Sequence, residues 1–162
     1  LEFSKASKLK DIGIITYLTN LKSLTIYNSN LLTNISAIRN LINLERLSIS
    51  YSPNLSDISA VSNLKKLTYL DFDNNKIKDV SPLKDLSKLS YASLHYNYIE
   101  DVSSLTNFVD VEFLRLSYNC ISDSSPLNYL LEDETRIIEV ELQQLEVCRN
   151  NITWEEWLEN HN

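Results

Sequence analysis

The sequence predicts an α/β solenoid, a right-handed coil with a parallel β-sheet on its concave side and short helices or 3-10 turns on its convex side. Two observations predict this architecture: a sequence frame that returns at a regular step, and apolar columns that alternate with variable residues within each copy. The clearest copy spans residues 67–83 and reads L-x-x-L-x-L-x-x-N-x-I-x-D-x-S-P-L. Its fourth residue, here called the anchor, recurs at steps of 23, 23, 23, 22 and 22 residues, as Leu1, Leu24, Leu47, Leu70, Ala92 and Leu114.

Each copy begins with a short strand. A second apolar column stands two residues after the anchor and comprises Phe3, Ile26, Ile49, Phe72, Leu94 and Leu116. Alternation at period two is typical of a strand with one buried face. Five residues after the anchor, where the chain leaves the strand, stand Ala6, Ser29, Ser52, Asn75, Asn97 and Asn119. Because asparagine both donates and accepts hydrogen bonds, we expect this side chain to satisfy the backbone of a buried turn.

The second half of each copy predicts a convex helix or 3-10 turn. A column of acidic or amide side chains stands two residues before a serine, which the first copy replaces with Gly13; the column is Asp11, Asn34, Asp57, Asp79, Asp101 and Asp123. The pairs Ser81-Pro82 and Ser125-Pro126 indicate helix starts, and we expect the serine to cap the free amides. Regularly spaced carboxylates could bind calcium. Since turn capping explains the column, no metal site is predicted.

The C-terminal segment changes the step but keeps the frame. The pattern L-x-x-L-x-L-x-x-N-x-I returns over residues 142–152 and predicts a seventh strand. Its anchor, Leu145, lies further from Leu114 than the regular step allows. The additional residues, within 128–141, indicate a longer helix, or a helix plus a strand, on the convex side. Residues 153–156 fit a capping box that begins a helix able to cover the end of the core.

These patterns divide the chain into two regions. Residues 1–127 hold about six repeats, the first without an N-terminal cap, and residues 128–162 form an expanded last repeat with an acidic helical cap. Because the chain opens directly on a strand at Leu1, we expect it to be part of a longer protein.

The run of residues 78–86, K-D-V-S-P-L-K-D-L, and its copies resemble the 22-residue leucine-rich repeats of bacterial internalins and of the Sds22-like phosphatase regulators. The resemblance covers residues 1–127. It implies the leucine-rich repeat fold, and the same solenoid serves many unrelated partners. The resemblance therefore predicts a fold more sharply than a function.

Charge is distributed unevenly along the chain. Residues 1–131 contain 13 acidic and 13 basic side chains, whereas residues 132–162 contain 9 acidic and 2 basic ones. A balanced body lacks the basic footprint of nucleic-acid binding, so no nucleic acid is expected as a partner. No apolar run reaches the length of about 18 residues that a membrane span needs, so no membrane insertion is expected. We expect a monomer that binds a protein.

The residue inventory argues against catalysis. The chain has only two histidines, His95 and His161, and it has no G-x-G-x-x-G sequence, no P-loop and no C-x-x-C pair. We therefore predict that the protein is not an enzyme and holds no cofactor. Cys120 and Cys148 do not stand opposite each other in adjacent coils of the predicted register, which favours free thiols over a disulfide.

The predicted register also identifies the residues that point onto the concave sheet, because side chains alternate along a strand. Three consecutive copies place an aromatic side chain directly before the anchor, and three copies place a tyrosine four residues after it, one of them Tyr51. The predicted partner-binding residues are Tyr69, Asp71, Asp73, Tyr91, His95, Phe113, Arg115, Tyr96 and Tyr118. Exposed aromatic and charged side chains on a rigid sheet are typical of a protein-binding hot spot. The alternative is that the rings pack on one another and only stiffen the sheet.

Three functions fit this surface. The first is an extracellular, internalin-like module that binds a protein in its concavity. The second is an intracellular, Sds22-like scaffold that docks a phosphatase or another signalling protein on the same face. The third is an architectural spacer without a ligand. Free cysteines favour a reducing compartment, whereas the D-x-S-P-L pattern favours internalins; we give the repeat pattern more weight and expect a cell-surface location, with the cytoplasm as the alternative.

Overall fold

A computed structural model describes residues 1–4, 8–140 and Cys148. The described residues form one seven-stranded parallel sheet in which the strands lie side by side in sequence order. The strands are β1 (Glu2–Ser4), β2 (Ser23–Tyr27), β3 (Arg46–Ser50), β4 (Tyr69–Asp71), β5 (Tyr91–Ser93), β6 (Phe113–Arg115) and β7 (Ile137–Glu139). The predicted solenoid is confirmed, and repeats one to six are numbered below by the strands that begin them.

The register of the sheet aligns the repeat columns. The anchors pair directly, Leu24 with Leu47, Leu47 with Leu70, and Ala92 with Leu114. In repeats two to six the anchor and the residue two positions later are fully buried. The core is therefore a continuous row of apolar side chains that runs along the solenoid axis.

The convex side is built from short 3-10 helices. Those within the described residues are Gly13–Tyr17, Ser36–Asn40, Ser59–Asn63, Ser81–Leu83, Ser103–Leu105 and Ser125–Leu127, and the last leads into one turn of α-helix, α1 (Asn128–Leu131). Apolar residues three positions apart, such as Leu83, Leu86 and Leu89, are buried against the strands. The helices thus close the second side of the core, as a spacing of three residues requires.

The 3-10 helices are capped differently from the prediction. None of these helices carries a hydrogen bond from the side chain of its capping residue, and each serine is instead the first helical residue. Its backbone N–H donates to the acidic or amide side chain two residues earlier, as from Ser81 to Asp79 Oδ1 and from Ser36 to Asn34 Oδ1, both at 2.8 Å. A serine at the first helical position lies too far along the chain to cap the free amides of the helix with its own hydroxyl. The acidic or amide side chain two residues earlier accepts the hydrogen bond instead. The equivalent hydrogen bond from the backbone N–H of Ser59 holds the pKa of the Asp57 carboxyl below its usual range.

The asparagine column acts as predicted. Asn97 Nδ2 donates to the carbonyls of Phe72 at 2.9 Å and Leu94 at 3.1 Å, while its Oδ1 accepts the N–H of Ile77 at 3.0 Å. Asn119 repeats this pattern one coil further along. One buried amide therefore ties together the backbones of two neighbouring repeats.

Serine replaces asparagine in repeats two and three, each of which is one residue longer than repeats four and five. The hydroxyls of Ser29 and Ser52 are buried and have no hydrogen-bond partner within the described part of the chain. Instead, the N–H of Leu32 donates to the carbonyl of Ser29 at 3.0 Å, and that of Leu55 donates to the carbonyl of Ser52 at 2.8 Å. The additional residue lets the backbone close the turn by itself.

The seventh strand is not where the sequence frame places it. Ile138 pairs with Leu114, so the anchor of the next strand is Ile138 rather than Leu145. This strand lies in the concave sheet, not on the convex side. The preceding turn is held by Asp133, which accepts from Thr135 N–H at 3.1 Å and Arg136 Nε at 2.9 Å. Residues 142–147, 149–152 and the expected capping helix lie outside the described residues.

The prediction of free thiols is wrong: Cys120 and Cys148 form a disulfide, with their Cα atoms 5.8 Å apart. The sequence argument counted Cys148 from Leu145, whereas β7 has its anchor at Ile138. Counted from Ile138, Cys148 stands ten residues after its anchor and Cys120 stands six after Leu114, so the two cysteines do not share a column of the frame in either count. No helix of the described residues is long and apolar enough to cross a membrane.

Candidate functional site

Three aromatic rings form a stack on the concave sheet, here called the aromatic column: Tyr69, Tyr91 and Phe113. The backbone register places them directly beside one another. The ring centroids are 4.4 Å apart between Tyr69 and Tyr91 and 4.6 Å apart between Tyr91 and Phe113, with the planes 8° and 4° from parallel. The rings cover each other's faces, and all three side chains stay half-buried. Ring edges therefore form the outer surface of the column.

A guanidinium group extends the aromatic column at one end. Arg46 of repeat three places its Cζ 4.1 Å from the centre of the Tyr69 ring. This is the geometry of a cation–π contact. Burial, followed by the nearby charge of Asp71, raises the pKa of Tyr69 to about 12, so this phenol stays neutral.

Three further tyrosines, here called the edge tyrosines, follow the strands of repeats three, five and six: Tyr51, Tyr96 and Tyr118. Their φ angles are 56°, 53° and 58°, in the left-handed region. Asn28 and Asn74 occupy the same place in repeats two and four, with φ of 57° each. Asparagine tolerates this conformation, whereas other L-residues lose about 1–2 kcal/mol in it. The edge tyrosines are thus held at a cost in backbone energy, which points to a role for the rings.

His95 is buried beneath two of the edge tyrosines, and its prediction as a surface residue is wrong. Its residue exposure is 7%, and its ring meets Tyr96 and Tyr118 edge-on at 4.3 Å and 5.0 Å, while those two rings stack at 4.4 Å. The positive φ after each strand folds the tyrosine back over the preceding side chain, which strand alternation alone does not predict. Burial and the charge of Arg115 lower the pKa of His95 to about 4, so the ring is neutral at pH 7.

Asp71 is held by repeats three and four. It accepts hydrogen bonds from Ser48 Oγ at 3.0 Å and Ser50 Oγ at 2.8 Å, and from the N–H of Asp73 at 3.1 Å. No basic side chain of the described residues makes an ion pair with it. Its charge therefore remains available to a cation.

Asp73 is a largely buried carboxylate on the concave side. Its side chain is 18% exposed and lies 3.8 Å from the Arg115 guanidinium. It accepts from Ser93 Oγ at 2.6 Å and from the N–H of His95 at 2.8 Å. Burial outweighs these bonds and, with the neighbouring Asp71, raises the pKa of Asp73 to about 6.

Glu139 completes the charged group and was missed by the sequence analysis. It lies on β7, and its Oε2 is 2.9 Å from Arg115 Nε. The shifted strand assignment hid it, because the predicted frame left residue 139 in the convex segment. The two isoleucines before it, a β-branched pair typical of a strand, were the available signal.

The structure brings the predicted residues onto one surface. The aromatic column lies at the start of the strands, the edge tyrosines lie where the strands end, and Asp71, Asp73 and Arg115 lie between them. Within the described residues there is no group of three His, Cys, Asp or Glu side chains that could hold a metal ion. Rigid aromatic surface with its charges held in place is suited to recognition of a macromolecule.

Comparison with known proteins identifies the class of repeat. The family described as Leucine Rich repeats (2 copies) matches residues 42–85. Internalin C2 of Listeria monocytogenes is similar at 30% identity and a TM-score of 0.61, over 72% of this chain and 60% of that one. An internalin, inlF, of the same organism is similar at 28% identity and a TM-score of 0.59, over 82% of this chain and 45% of that one.

A more distant structure shares the fold. The plant peptide hormone receptor RGFR1, solved in complex with RGF2, is similar at 22% identity and a TM-score of 0.59, over 67% of this chain and 18% of that one. The chain thus spans less than two thirds of these solved structures. No curated protein sequence matches it. The repeat match and the neighbours indicate a protein–protein interaction module.

Proposed function

We propose that this leucine-rich repeat protein of the internalin-like type binds a partner protein on the concave face of its sheet and catalyses no reaction. The observation that carries the proposal is the aromatic column, whose rings are stacked in register yet half-exposed. Large aromatic side chains with few free rotamers dominate the energetics of protein interfaces. The partner-binding residues are those of the aromatic column with Asp71, Asp73, Arg115, Tyr96 and Tyr118, while His95 supports Tyr96 and Tyr118 from below.

Preorganisation favours recognition at this surface. The stacked rings and the ion pairs of Arg115 with Asp73 and Glu139 are formed before any partner arrives. Binding therefore orders few side chains, and the entropy it costs is small. A spacer without a ligand could use the same stacking, but Tyr51 remains exposed at a left-handed position where asparagine costs less, which favours a binding role.

The disulfide favours a location outside the cytoplasm. Structural disulfides persist in oxidising compartments and are rare where thiols are kept reduced. The Cys120–Cys148 bond therefore supports an extracellular or cell-surface module over an intracellular, Sds22-like scaffold. We propose that the module acts as a monomer.

Capture of partners tests the proposal. The wild-type protein and a Tyr69→Ala, Tyr91→Ala, Phe113→Ala variant are immobilised and exposed to the same protein extract. A Tyr17→Ala variant is the matched control, since Tyr17 is 84% exposed and lies on the convex side. We expect bound proteins that the control retains and the triple variant loses. Identical recovery by all three proteins, with the triple variant folded by its thermal melt, would overturn a concave site.

A further inference from the structure

The position of the edge tyrosines, four residues after the anchor, holds the small side chain of Asn74 in repeat four, and the space above it is here called the gap. Backbone hydrogen bonds keep this position in register, because Tyr51 N–H donates to the Asp73 carbonyl at 3.0 Å and Asn74 N–H donates to the His95 carbonyl at 2.9 Å. Tyr96 N–H continues the row to the Ser117 carbonyl at 3.2 Å. Tyr51 and Tyr96 are thus two repeats apart, and the small Asn74 stands between them.

The gap has the width of one planar group. Neighbouring strands lie about 4.8 Å apart, so side chains two repeats apart are separated by about 9–10 Å. Adjacent rings on this sheet stack at 4.4 Å, as Tyr96 and Tyr118 do. One flat group between Tyr51 and Tyr96 would therefore contact both. Burial and Tyr118 are the main causes that raise the pKa of Tyr96, and Tyr51 adds a smaller rise.

The same sheet shows which planar group suits such a place. At one end of the aromatic column, the guanidinium of Arg46 in repeat three lies 4.1 Å from the centre of the Tyr69 ring in repeat four. Arginine therefore already occupies one place in an aromatic row of this molecule. A guanidinium is flat, always charged and weakly hydrated, which favours stacking on tyrosine over the compact ammonium of lysine.

Charge around the gap also favours a cation. Asp71 and Asp73 belong to the same repeat as Asn74, and within the described residues only Arg115 makes an ion pair with either, at 3.8 Å from Asp73. His95, the histidine beside the gap, is neutral at pH 7 and adds no repulsion. A positive group entering here meets two carboxylates and one cation.

We propose that an arginine of the partner protein inserts its guanidinium between Tyr51 and Tyr96, above Asn74, with Asp71 and Asp73 balancing its charge. The inference rests on the proposed function and names the residue type that the concave face recognises. It explains why tyrosine is kept at two strained backbone positions while asparagine stands at the one between them.

A small probe tests the gap without the natural partner. The end-capped tripeptide Gly-Arg-Gly is titrated into the 162-residue protein, and the tyrosine ring signals are followed by NMR. We expect shifts at Tyr51 and Tyr96 and a dissociation constant on the order of 1 mM. The same peptide with citrulline, which keeps the planar shape without the charge, should bind about tenfold more weakly, and the lysine peptide should also bind more weakly.

Two asparagine variants locate the binding. Asn74→Tyr fills the gap with a ring and should abolish the shifts. Asn28→Tyr makes the same change at the same left-handed position, on the side of Tyr51 that faces away from the gap, so the peptide should still bind. Absence of shifts in the wild type, equal binding of the citrulline peptide, or an unaffected Asn74→Tyr variant would each overturn the proposal. None of these results depends on whether the aromatic column binds a partner, so failure of the two proposals can be told apart.

Discussion

The rings of Tyr91 and Phe113 lie 4.6 Å apart and only 4° from parallel, so the two side chains pack on each other while part of each stays exposed to solvent. Offset-stacked aromatic pairs contribute about 0.5–1.5 kcal/mol beyond the area they bury. The expectation that the rings point toward solvent and the alternative that they pack on one another therefore describe the same column. Stability and partner affinity should both respond to its loss, by different amounts.

A double-mutant cycle separates the two contributions. Tyr91→Ala and Phe113→Ala should each weaken a captured partner by about 1–3 kcal/mol. In the free protein their effects on the free energy of unfolding should be coupled by about 0.5–1.5 kcal/mol, because either change removes the same stacked contact. Urea unfolding of the wild type, both single variants and the double variant measures the coupling. Strictly additive effects on unfolding would contradict the stacked geometry.

The buried column behind these rings should matter far more for folding. Leu94 and Leu116 are completely buried, so Leu94→Ala and Leu116→Ala should each lower the free energy of unfolding by about 2–5 kcal/mol through lost core volume. Ile14→Ala is the matched control, because Ile14 is 82% exposed and should change stability by less than about 0.5 kcal/mol. Equal effects at Leu94 and Ile14 would mean that the inward and outward columns are exchanged.

The asparagine column makes a separate prediction about buried polar groups. Asn97→Ala leaves the N–H of Ile77 without its acceptor and removes one of the two amide donors from each of the Phe72 and Leu94 carbonyls, and it should cost about 3 kcal/mol in unfolding free energy. Asn63→Ala, at an exposed position on the convex side, controls for the removal of an amide and should have little effect. Thermal unfolding of the two variants compares them directly. A small effect at Asn97 would show that water can replace the side chain in the turn.

The sequence could predict the structural features that recur in several repeats. Side chains of in-register parallel strands occupy equivalent places in successive coils, so the anchor, the asparagine column and the Asp79-type turn could each be identified from several copies. The aromatic column could be predicted for the same reason, since Tyr69, Tyr91 and Phe113 hold one position of the frame.

What could not be predicted depends on single places in the chain. The pairing of Ile138 with Leu114 follows from one irregular segment that no other copy predicts, and the disulfide joins Cys120 and Cys148 on either side of that segment. The burial of His95 depends on the positive φ of Tyr96 and Tyr118, a backbone property that strand periodicity does not carry. The recurrence of asparagine at that position, in Asn28 and Asn74, was the signal that could have shown it.

The disulfide should make stability depend on redox conditions. The bond joins residues 28 apart in sequence, and a loop of that length stabilises the folded chain by about 3–4 kcal/mol in the loop-entropy model. Cys120→Ser should lower the unfolding free energy by that order, and dithiothreitol should destabilise the wild type but not the variant. Thiol titration of the denatured, oxidised wild type should find no free cysteine. Two titratable thiols in protein made in an oxidising compartment would contradict the bond.

Asp73 predicts the direction in which stability changes with pH. Its pKa is raised from 3.8 in the unfolded chain to about 6 in the folded protein, so the folded state binds the proton more tightly. The contribution of Asp73 is therefore most favourable below about pH 4 and is lost as the pH rises through 6. Asp73→Asn removes this titration, so the variant's stability relative to wild type should rise by about 1–3 kcal/mol between pH 4 and pH 7.

Urea unfolding of both proteins at several pH values measures this difference. The charged or titratable groups near Asp73 are Asp71 on its own repeat and Arg115 and His95 on neighbouring repeats. The folded pKa of His95 is lowered, so its contribution to stability changes with pH in the opposite direction. That contribution is present in both proteins and largely cancels in the difference between them. Asp57→Asn is the matched control, because Asn34 already makes the equivalent turn bond. The pKa of Asp57 is lowered from 3.8, so its contribution is gained as the pH rises through about 4; the relative stability of this variant should fall there and stay nearly constant above about pH 5. A stability difference that stays constant with pH would mean that burial does not raise the pKa of Asp73. If this difference rises with pH as expected, the Asp73 carboxylate destabilises the fold at neutral pH. A partner's cation at the proposed arginine site beside it would offset that cost.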